Sequence, residues 1–147
     1  MDKEKYLEVY RHSLAHILAK AVIELYGKDV QYAIGPQIAD GFYYDFGLPE
    51  GVSIQEADFK KIEDKMREII KRREDWTVKE VSKQEALDLF KDQKYKTELI
   101  KDLPEGEKIT IYWTGDDYVD LCRGPHVDNS QELMSAAFEI RSVSGAY

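Results

Sequence analysis

The residues best suited to chemistry in this sequence form two pairs, each with a spacing of four residues. His12 and His16 stand in "RHSLAHILAK", and Cys122 and His126 stand in "YVDLCRGPHV". Together they are all the histidines and the only cysteine of the chain. Imidazole nitrogens and a thiolate can ligate zinc, and an imidazole can instead act as a general base or orient a water molecule. If the pairs meet in space, they predict either a zinc site or a metal-free hydrolytic site.

The first pair is predicted to lie on a long helix. Apolar residues recur at intervals of three and four through the first 28 residues, a pattern typical of a helix. These residues are Leu7, Tyr10, Leu14, Ile17, Leu18, Ala21 and Leu25. With about 3.6 residues per turn, His12 and His16 point to roughly the opposite side, beside Ala19 and Ile23. We therefore expect a helix covered on two faces, with the histidines in a pocket wall. No glutamate follows His12, which excludes the zinc-protease motif.

The second pair is predicted to lie at a sharp turn. Gly124 and Pro125 separate the cysteine from the histidine, and these residue types favour a turn at the end of a strand. Such a turn can aim a thiol and an imidazole at a common point. With the two helical histidines they would complete a four-ligand zinc set, although the same groups could form a metal-free site.

The remaining elements predict an α+β fold. Capping boxes are predicted at Ser53 with Glu56 and at Ser82 with Glu85. Helices are predicted in residues 53–73, 83–90 and 95–104. Strands are predicted in residues 30–35, 41–47, 76–81, 108–113, 118–122 and 136–147. Two predicted hairpins favour antiparallel pairing, and the mixture of strands with helices indicates α+β rather than α/β.

Composition restricts the possible partners. The chain has 147 residues and a net charge of −8, which predicts one domain over residues 1–147 without a strong independent grip on nucleic-acid phosphates. If the domain binds RNA, we expect it to contact only an end of the RNA. No apolar run approaches the ~20 residues that would span a bilayer. The single cysteine fits a reducing compartment, so the expected location is the cytoplasm, with no membrane partner.

Five stretches resemble the editing domain of threonyl-tRNA synthetases. In chain order they are "RHSLAHILAKAV", "AIGPQIADGFYYDF", "YKTELIKDL", "YVDLCRGPHV" and "SVSGAY". The resemblance extends from about residue 10 to the last residue, at similar spacing. More distantly, the chain is similar to the editing domains of alanyl-tRNA synthetases and their free-standing relatives, which bind zinc through the two paired motifs. The resemblance implies an α+β domain with a cleft between a long helix and an antiparallel sheet.

The resemblance also implies an activity and further site residues. The expected reaction is hydrolysis of the ester in threonine tRNA that carries serine, and the expected partners are the 3′ acceptor end of that tRNA and the rest of a synthetase polypeptide. By motif match, Lys96 is the catalytic lysine, Asp120 its acidic neighbour and Tyr44 a pocket-lining tyrosine. The threonyl branch is described as working without zinc, so the resemblance favours a site that requires no cofactor and leaves zinc possible.

Alternative readings of these residues remain open from the sequence. His12 is expected to orient or deprotonate water, and Lys96 to supply positive charge or share in activating the water. Asp120 would hold Lys96 or a histidine in place, while His16 and the second pair shape the pocket. Taken singly, however, Lys96 could be a surface lysine, Asp120 a turn residue and Tyr44 a core aromatic. A zinc-dependent deacylase and a non-catalytic module that positions the tRNA end are the competing functions. The chain could be part of a longer synthetase or a stand-alone form.

Overall fold

The computed structural model describes residues 3–35, 37–38 and 40–143, and it confirms the predicted α+β class. The α-helices are α1 (Lys3–Tyr26), α2 (Phe59–Lys71), α3 (Lys83–Leu89) and α4 (Lys94–Lys101). Two short 3-10 helices cover Glu56–Asp58 and Ser130–Leu133. The strands are β1 (Gln31–Tyr32), β2 (Gln37–Ile38), β3 (Gly41–Phe42), β4 (Phe46–Gly47), β5 (Trp76–Val81), β6 (Ile109–Thr114) and β7 (Tyr118–Leu121). In the part of the chain that the structure describes, we find no helix with the length and apolar character needed to cross a membrane.

Helix α1 lies between two hydrophobic clusters. Leu14 and Ile17 belong to the cluster that also contains the buried side of α2, whereas Ala15 and Ala19 belong to the cluster that contains the β5–β6–β7 sheet. Burial of each large aliphatic side chain stabilises the fold by about 1.5–3 kcal/mol. The middle of α1 is therefore covered on two faces, as its pattern of apolar residues predicted.

A buried lysine joins α1 to the neighbouring hairpin. Lys20 is only 2% exposed, and its Nζ lies 2.7 Å from a carboxylate oxygen of Glu74 and 2.7 Å from one of Asp117. It also donates to the main-chain carbonyl of Thr114 at 3.2 Å. Because an unpaired buried ammonium is very unfavourable, this set of acceptors holds α1 at one position along the β6–β7 hairpin.

The main sheet is antiparallel with the order β5–β6–β7. Thr114 pairs with Tyr118 across the predicted hairpin, and Gly115 occupies the turn with a φ of +67°. Side chains alternate across a strand, so Tyr118 and Asp120 share one face of β7. Both are 3% exposed. This face is turned toward α1 and supplies one side of the site.

Strands β1 to β4 form a second antiparallel hairpin, made of short pieces. β1 pairs with β4, and β2 pairs with β3. Between these pairs, Ala33 N–H donates to the carbonyl of Asp45 at 2.9 Å, but Asp45 N–H donates to the carbonyl of Ile34 at 2.8 Å. Two residues thus oppose one, which is the arrangement of a β-bulge. The bulge leaves the carbonyl of Ala33 out of the strand ladder. Pro36, in the predicted connection, lies outside the described residues.

Two details of the predicted elements are wrong. The predicted capping box of Ser53 with Glu56 is wrong. Gln55 is the N-cap residue instead, and the Asp58 carboxylate accepts the main-chain N–H of Gln55 at 2.9 Å. The helical segment therefore starts later than predicted. The predicted strand 136–147 is not a strand over residues 136–143, and residues 144–147 lie outside the described part. Phe138 and Ile140 pack against the core, and Ile140 N–H donates to Glu63 of α2 at 2.7 Å. The capping box at the start of α3 is confirmed.

Candidate active-site cleft

The predicted site residues line one cleft between four elements. The cleft has a volume of about 210 Å³ and is bounded by α1, the bulged hairpin, α4 and the end of β7. Its lining residues are His12, His16, Ala33, Ile34, Gly35, Lys96, Leu99, Asp120, Leu121, Cys122 and His126. Six of the seven residues chosen from the sequence thus share one cavity. Tyr44 lies behind this wall and reaches it through its hydroxyl group.

Asp120 is the most highly coordinated side chain of the site. Its Oδ1 accepts the main-chain N–H of Leu121 at 2.7 Å, and its Oδ2 accepts the hydroxyls of Tyr44 at 2.5 Å and Tyr118 at 2.9 Å. Burial alone would raise the pKa of Asp120, but the charge of Lys96, with His16 and the hydrogen bonds, brings the pKa below its ordinary value. Asp120 is therefore a buried carboxylate and not an exposed turn residue.

Lys96 is buried on α4 and ion-paired. Its Nζ lies 2.5 Å from Oδ1 of Asp120 and donates to the carbonyl of Ala33 at 2.6 Å. The β-bulge makes that carbonyl available. The rings of Tyr32 and Tyr44 lie 5.3 and 5.8 Å from the ammonium, within the range of cation–π attraction. An ammonium has three N–H groups, so one remains for the cleft. The alternative of a solvated surface lysine is excluded by these contacts.

His16 belongs to the Asp120 side of the cleft. Its Nε2 lies 3.4 Å from Oδ2 of Asp120, and its ring is stacked on Trp76 with centroids 5.6 Å apart. Burial lowers the pKa of His16 to about 4, although Asp120 partly opposes the shift. The Nδ1 atom has no hydrogen-bond partner within the described ranges of the chain. His16 is thus a neutral, buried ring whose orientation is set by packing and by Asp120.

The other three paired residues form a group that borders His16, because the ring centroids of His16 and His126 lie 4.2 Å apart. The ligand atoms of His12, Cys122 and His126 all lie within 4.8 Å of one another. Cys122 Sγ is 3.1 Å from His126 Nε2 and accepts the main-chain N–H of Gly124 at 3.3 Å. Among the described residues this is the group that could hold a metal ion. It contains three of the four ligands considered from the sequence, because His16 faces Asp120 instead.

The protonation of this group follows from burial. Burial raises the pKa of Cys122, with the N–H of Gly124 opposing the shift, so the sulfur is a thiol at neutral pH. Burial lowers the pKa of His12, although Glu8 opposes the shift, and it lowers the pKa of His126 further. His12 is half-buried and lines the cleft. It is therefore a neutral imidazole next to the space where a substrate could bind.

Several residues of the site were missed by the sequence analysis. Ser13 contacts His126, and Trp76 packs against both buried histidines. Tyr118 could have been found, because a residue two positions before Asp120 on a strand shares its face. Ser13 stands inside the first paired motif, but nothing in its spacing distinguishes it from a surface serine. The carbonyl of Ala33 has no signal in the sequence, since every residue carries one.

One protein-family model matches part of the chain that lines this cleft. The family described as "Threonyl and Alanyl tRNA synthetase second additional domain" matches residues 109–146. This range includes β6, β7 and the turn that carries Cys122 and His126. The second paired motif is therefore part of the matched region.

Similarity to individual relatives extends over nearly the whole chain. Threonine–tRNA ligases from Thermotoga maritima, Aquifex aeolicus and Borrelia duttonii are 51%, 48% and 46% identical over 95%, 96% and 100% of this chain. The chain spans only 21%, 22% and 24% of the length of these three relatives. The resemblance predicted from the motifs is thus confirmed: the chain is similar to a stretch of these threonine–tRNA ligases that makes up about a fifth to a quarter of their length.

Proposed function

We propose that this domain hydrolyses the ester that joins serine to the terminal ribose of threonine tRNA. The observation that carries this proposal is the buried Lys96–Asp120 ion pair, which presents a fixed positive charge to the same cleft that His12 lines. A hydrolytic site for an ester needs a placed water, a group that takes or orients its proton, and a donor near the developing oxyanion. We assign the proton acceptor to His12 and the donor to Lys96, which both line the cleft.

The relation to threonyl-tRNA synthetases supplies a reason for such an activity. Serine lacks one methyl group of threonine, and a missing methylene in a binding pocket is worth only about 1–3 kcal/mol. A synthetic site alone would therefore accept some serine. A second site that admits serine and hydrolyses its ester removes the error. The cleft suits this role because its walls are held by buried, mutually bonded side chains, which limit its adjustment to the extra methyl group of threonine.

In the proposed reaction, a water oxygen attacks the ester carbonyl carbon. His12 orients this water and accepts its proton, and the free N–H of Lys96 donates to the oxygen on which negative charge develops. The bond between the carbonyl carbon and the ribose oxygen then breaks, and the ribose oxygen receives the proton that His12 took from the water, so that serine and a free hydroxyl group result. Asp120 does not touch the ester in this scheme; it holds Lys96 in position.

A zinc-dependent version of the same hydrolysis is the second candidate. The grouping of His12, Cys122 and His126 within 4.8 Å favours it, because three protein ligands with an open position are typical of catalytic zinc. Bound zinc would lower the pKa of a water molecule and polarise the carbonyl. For such binding Cys122 would have to lose its proton. We favour the metal-free version because the Lys96–Asp120 ion pair already presents a fixed positive charge to the cleft.

Single-turnover hydrolysis with excess protein tests these alternatives. Seryl- and threonyl-tRNA for threonine would be compared, each with and without a chelator, and bound zinc would be measured by elemental analysis. We expect rapid release of serine alone, unaffected by the chelator. Release that requires stoichiometric zinc would replace the metal-free mechanism with the zinc-dependent one.

Binding of the tRNA without turnover would instead indicate a module that only positions the acceptor end. The net charge of −8 predicts weak binding by this domain alone. The protein concentration in the assay must therefore be raised until the rate no longer increases. Absence of hydrolysis at that plateau would contradict the proposed activity.

A further inference from the structure

We propose that Ser13 is a positioning residue that holds His126 in the tautomer with its proton on Nε2. This N–H then points at Cys122 Sγ, and the thiol hydrogen is left to point into the cleft. The assignment of the tautomer stands on the contacts alone, whereas its consequence for hydrolysis rests on the function proposed above.

The hydrogen bonds of Ser13 determine the direction of its hydroxyl group. The side chain is fully buried on α1, and its Oγ accepts the main-chain N–H of Val127 at 3.1 Å. Its own hydrogen then needs an acceptor, because a buried unsatisfied hydroxyl is unfavourable. Nδ1 of His126, at 3.1 Å, is the acceptor available to it among the described residues. Ser13 therefore donates to Nδ1.

The tautomer of His126 follows from this donation. A neutral imidazole whose Nδ1 accepts a hydrogen bond carries its proton on Nε2. Nε2 lies 3.1 Å from Cys122 Sγ, so the sulfur accepts this N–H as well as that of Gly124. With two N–H donors directed at the sulfur, the thiol hydrogen has to point elsewhere. Cys122 lines the cleft, which offers that space.

This arrangement assigns different tasks to the histidines. His126 has no free nitrogen lone pair for a water molecule in the cleft, and His16 is directed at Asp120. His12 is half-buried and lines the cleft, whereas His16 is only 3% exposed, so His12 is the imidazole to which we assign proton transfer. Coordination of a metal through Nε2 of His126 would require the opposite tautomer, with Ser13 turned to accept from Nδ1.

Long-range proton–nitrogen NMR correlation on nitrogen-15-labelled, chelator-treated protein tests the assignment directly. At neutral pH we expect the His126 spectrum to show a protonated Nε2 and an unprotonated Nδ1. In Ser13→Ala, which removes only the hydroxyl group, the spectrum should shift toward the Nδ1-protonated form. Ser13→Thr keeps the hydroxyl group and should restore the original pattern. Ser13→Cys matches the size of serine more closely than threonine does. It should shift the pattern only in part, because a thiol is a weak donor.

The wild-type spectrum is decisive even if the variants do not fold. A protonated Nδ1 in the wild-type protein would overturn the proposal, as would a Ser13→Ala spectrum identical to that of the wild type. In single-turnover hydrolysis we expect Ser13→Ala to lose on the order of tenfold in rate, because His126 and Cys122 line the cleft and would be less well positioned, and Ser13→Thr to recover most of it. If the wild-type protein does not hydrolyse seryl-tRNA, the proposed function fails while the NMR result still decides the role of Ser13.

Discussion

Replacement of Lys96 with methionine tests whether its ion pair organises the cleft. Lys96 Nζ lies 2.5 Å from Oδ1 of Asp120, and each side chain is only 4% exposed. Removal of one member of a buried ion pair costs about 3–5 kcal/mol, because the other charge is left uncompensated. Asp120 would keep its hydrogen bonds from Tyr44, Tyr118 and the N–H of Leu121. We therefore expect Lys96→Met to lower the free energy of unfolding by about 3 kcal/mol, the lower end of that range.

A double-mutant cycle isolates the contribution of the pair. Asp120→Asn removes the charge that Lys96→Met leaves unpaired, so the double variant should be more stable than the sum of the single effects by about 1–3 kcal/mol. Urea unfolding followed by circular dichroism measures these values. Lys101→Met is the matched control, because Lys101 is an exposed lysine on the same helix. We expect that control to change stability by less than about 1 kcal/mol.

The same variants connect stability to activity. If the free N–H of Lys96 stabilises the oxyanion, Lys96→Met should lower the single-turnover rate at least tenfold, and up to about a thousandfold. The rate must be measured without urea, at a temperature where the variant is still folded. A loss of stability below about 1 kcal/mol, together with strictly additive effects in the cycle, would refute the view that a buried charge pair holds the site together.

Three further outcomes are expected. His12→Ala should lower the deacylation rate at least tenfold yet change the free energy of unfolding by less than about 1 kcal/mol, because the ring is only half-buried; a near-normal rate would remove its assigned role. The pKa of His16 falls from 6.5 to about 4 on folding, chiefly through burial, so only the unfolded chain binds this proton between these values. Urea unfolding at a series of pH values should show stability falling from pH 6.5 to pH 4, by about 3 kcal/mol from this group; an equally steep fall in His16→Gln would contradict this. Gly124→Ala should destabilise the fold by more than about 1 kcal/mol in the same assay, because the φ of Gly124 is +70° and an added Cβ would collide with Tyr112; unchanged stability would show that the turn adapts.

Most helices and hairpins could be predicted because periodic apolar residues report burial. The pattern in α1 predicted its two covered faces, and alternation predicted the β6–β7 hairpin. The same reasoning failed at residues 136–143, where Phe138 and Ile140 alternate as in a strand but pack on the core without strand pairing. Alternation identifies an extended segment with one buried face; it does not reveal whether another strand lies beside it.

The members of the cleft could be selected from the sequence, but their partners could not. The spacing of His12 and His16 predicts that they share a helix face, yet a small rotation of the helix decides which of them meets Asp120. The position of Lys96 depends on a main-chain carbonyl that a β-bulge removes from its ladder. Residue types alone predict neither the partner of His16 nor the free carbonyl of Ala33, since both arise only when α1, α4 and the hairpin pack together.

The different neighbours of His12 and His16 bear on the proposal that side chains alone carry out the hydrolysis. The two histidines of the first motif have different neighbours: His16 lies beside Asp120, while His12 lies near Cys122 and His126. His16, the fourth zinc ligand considered from the sequence, is directed at Asp120, which is also ion-paired with Lys96. His12, a neutral imidazole, and Lys96, an ion-paired ammonium, both line the cleft. Because a developing oxyanion needs a fixed donor and water needs an acceptor, these are the two groups to which we assign those tasks in the proposed ester hydrolysis.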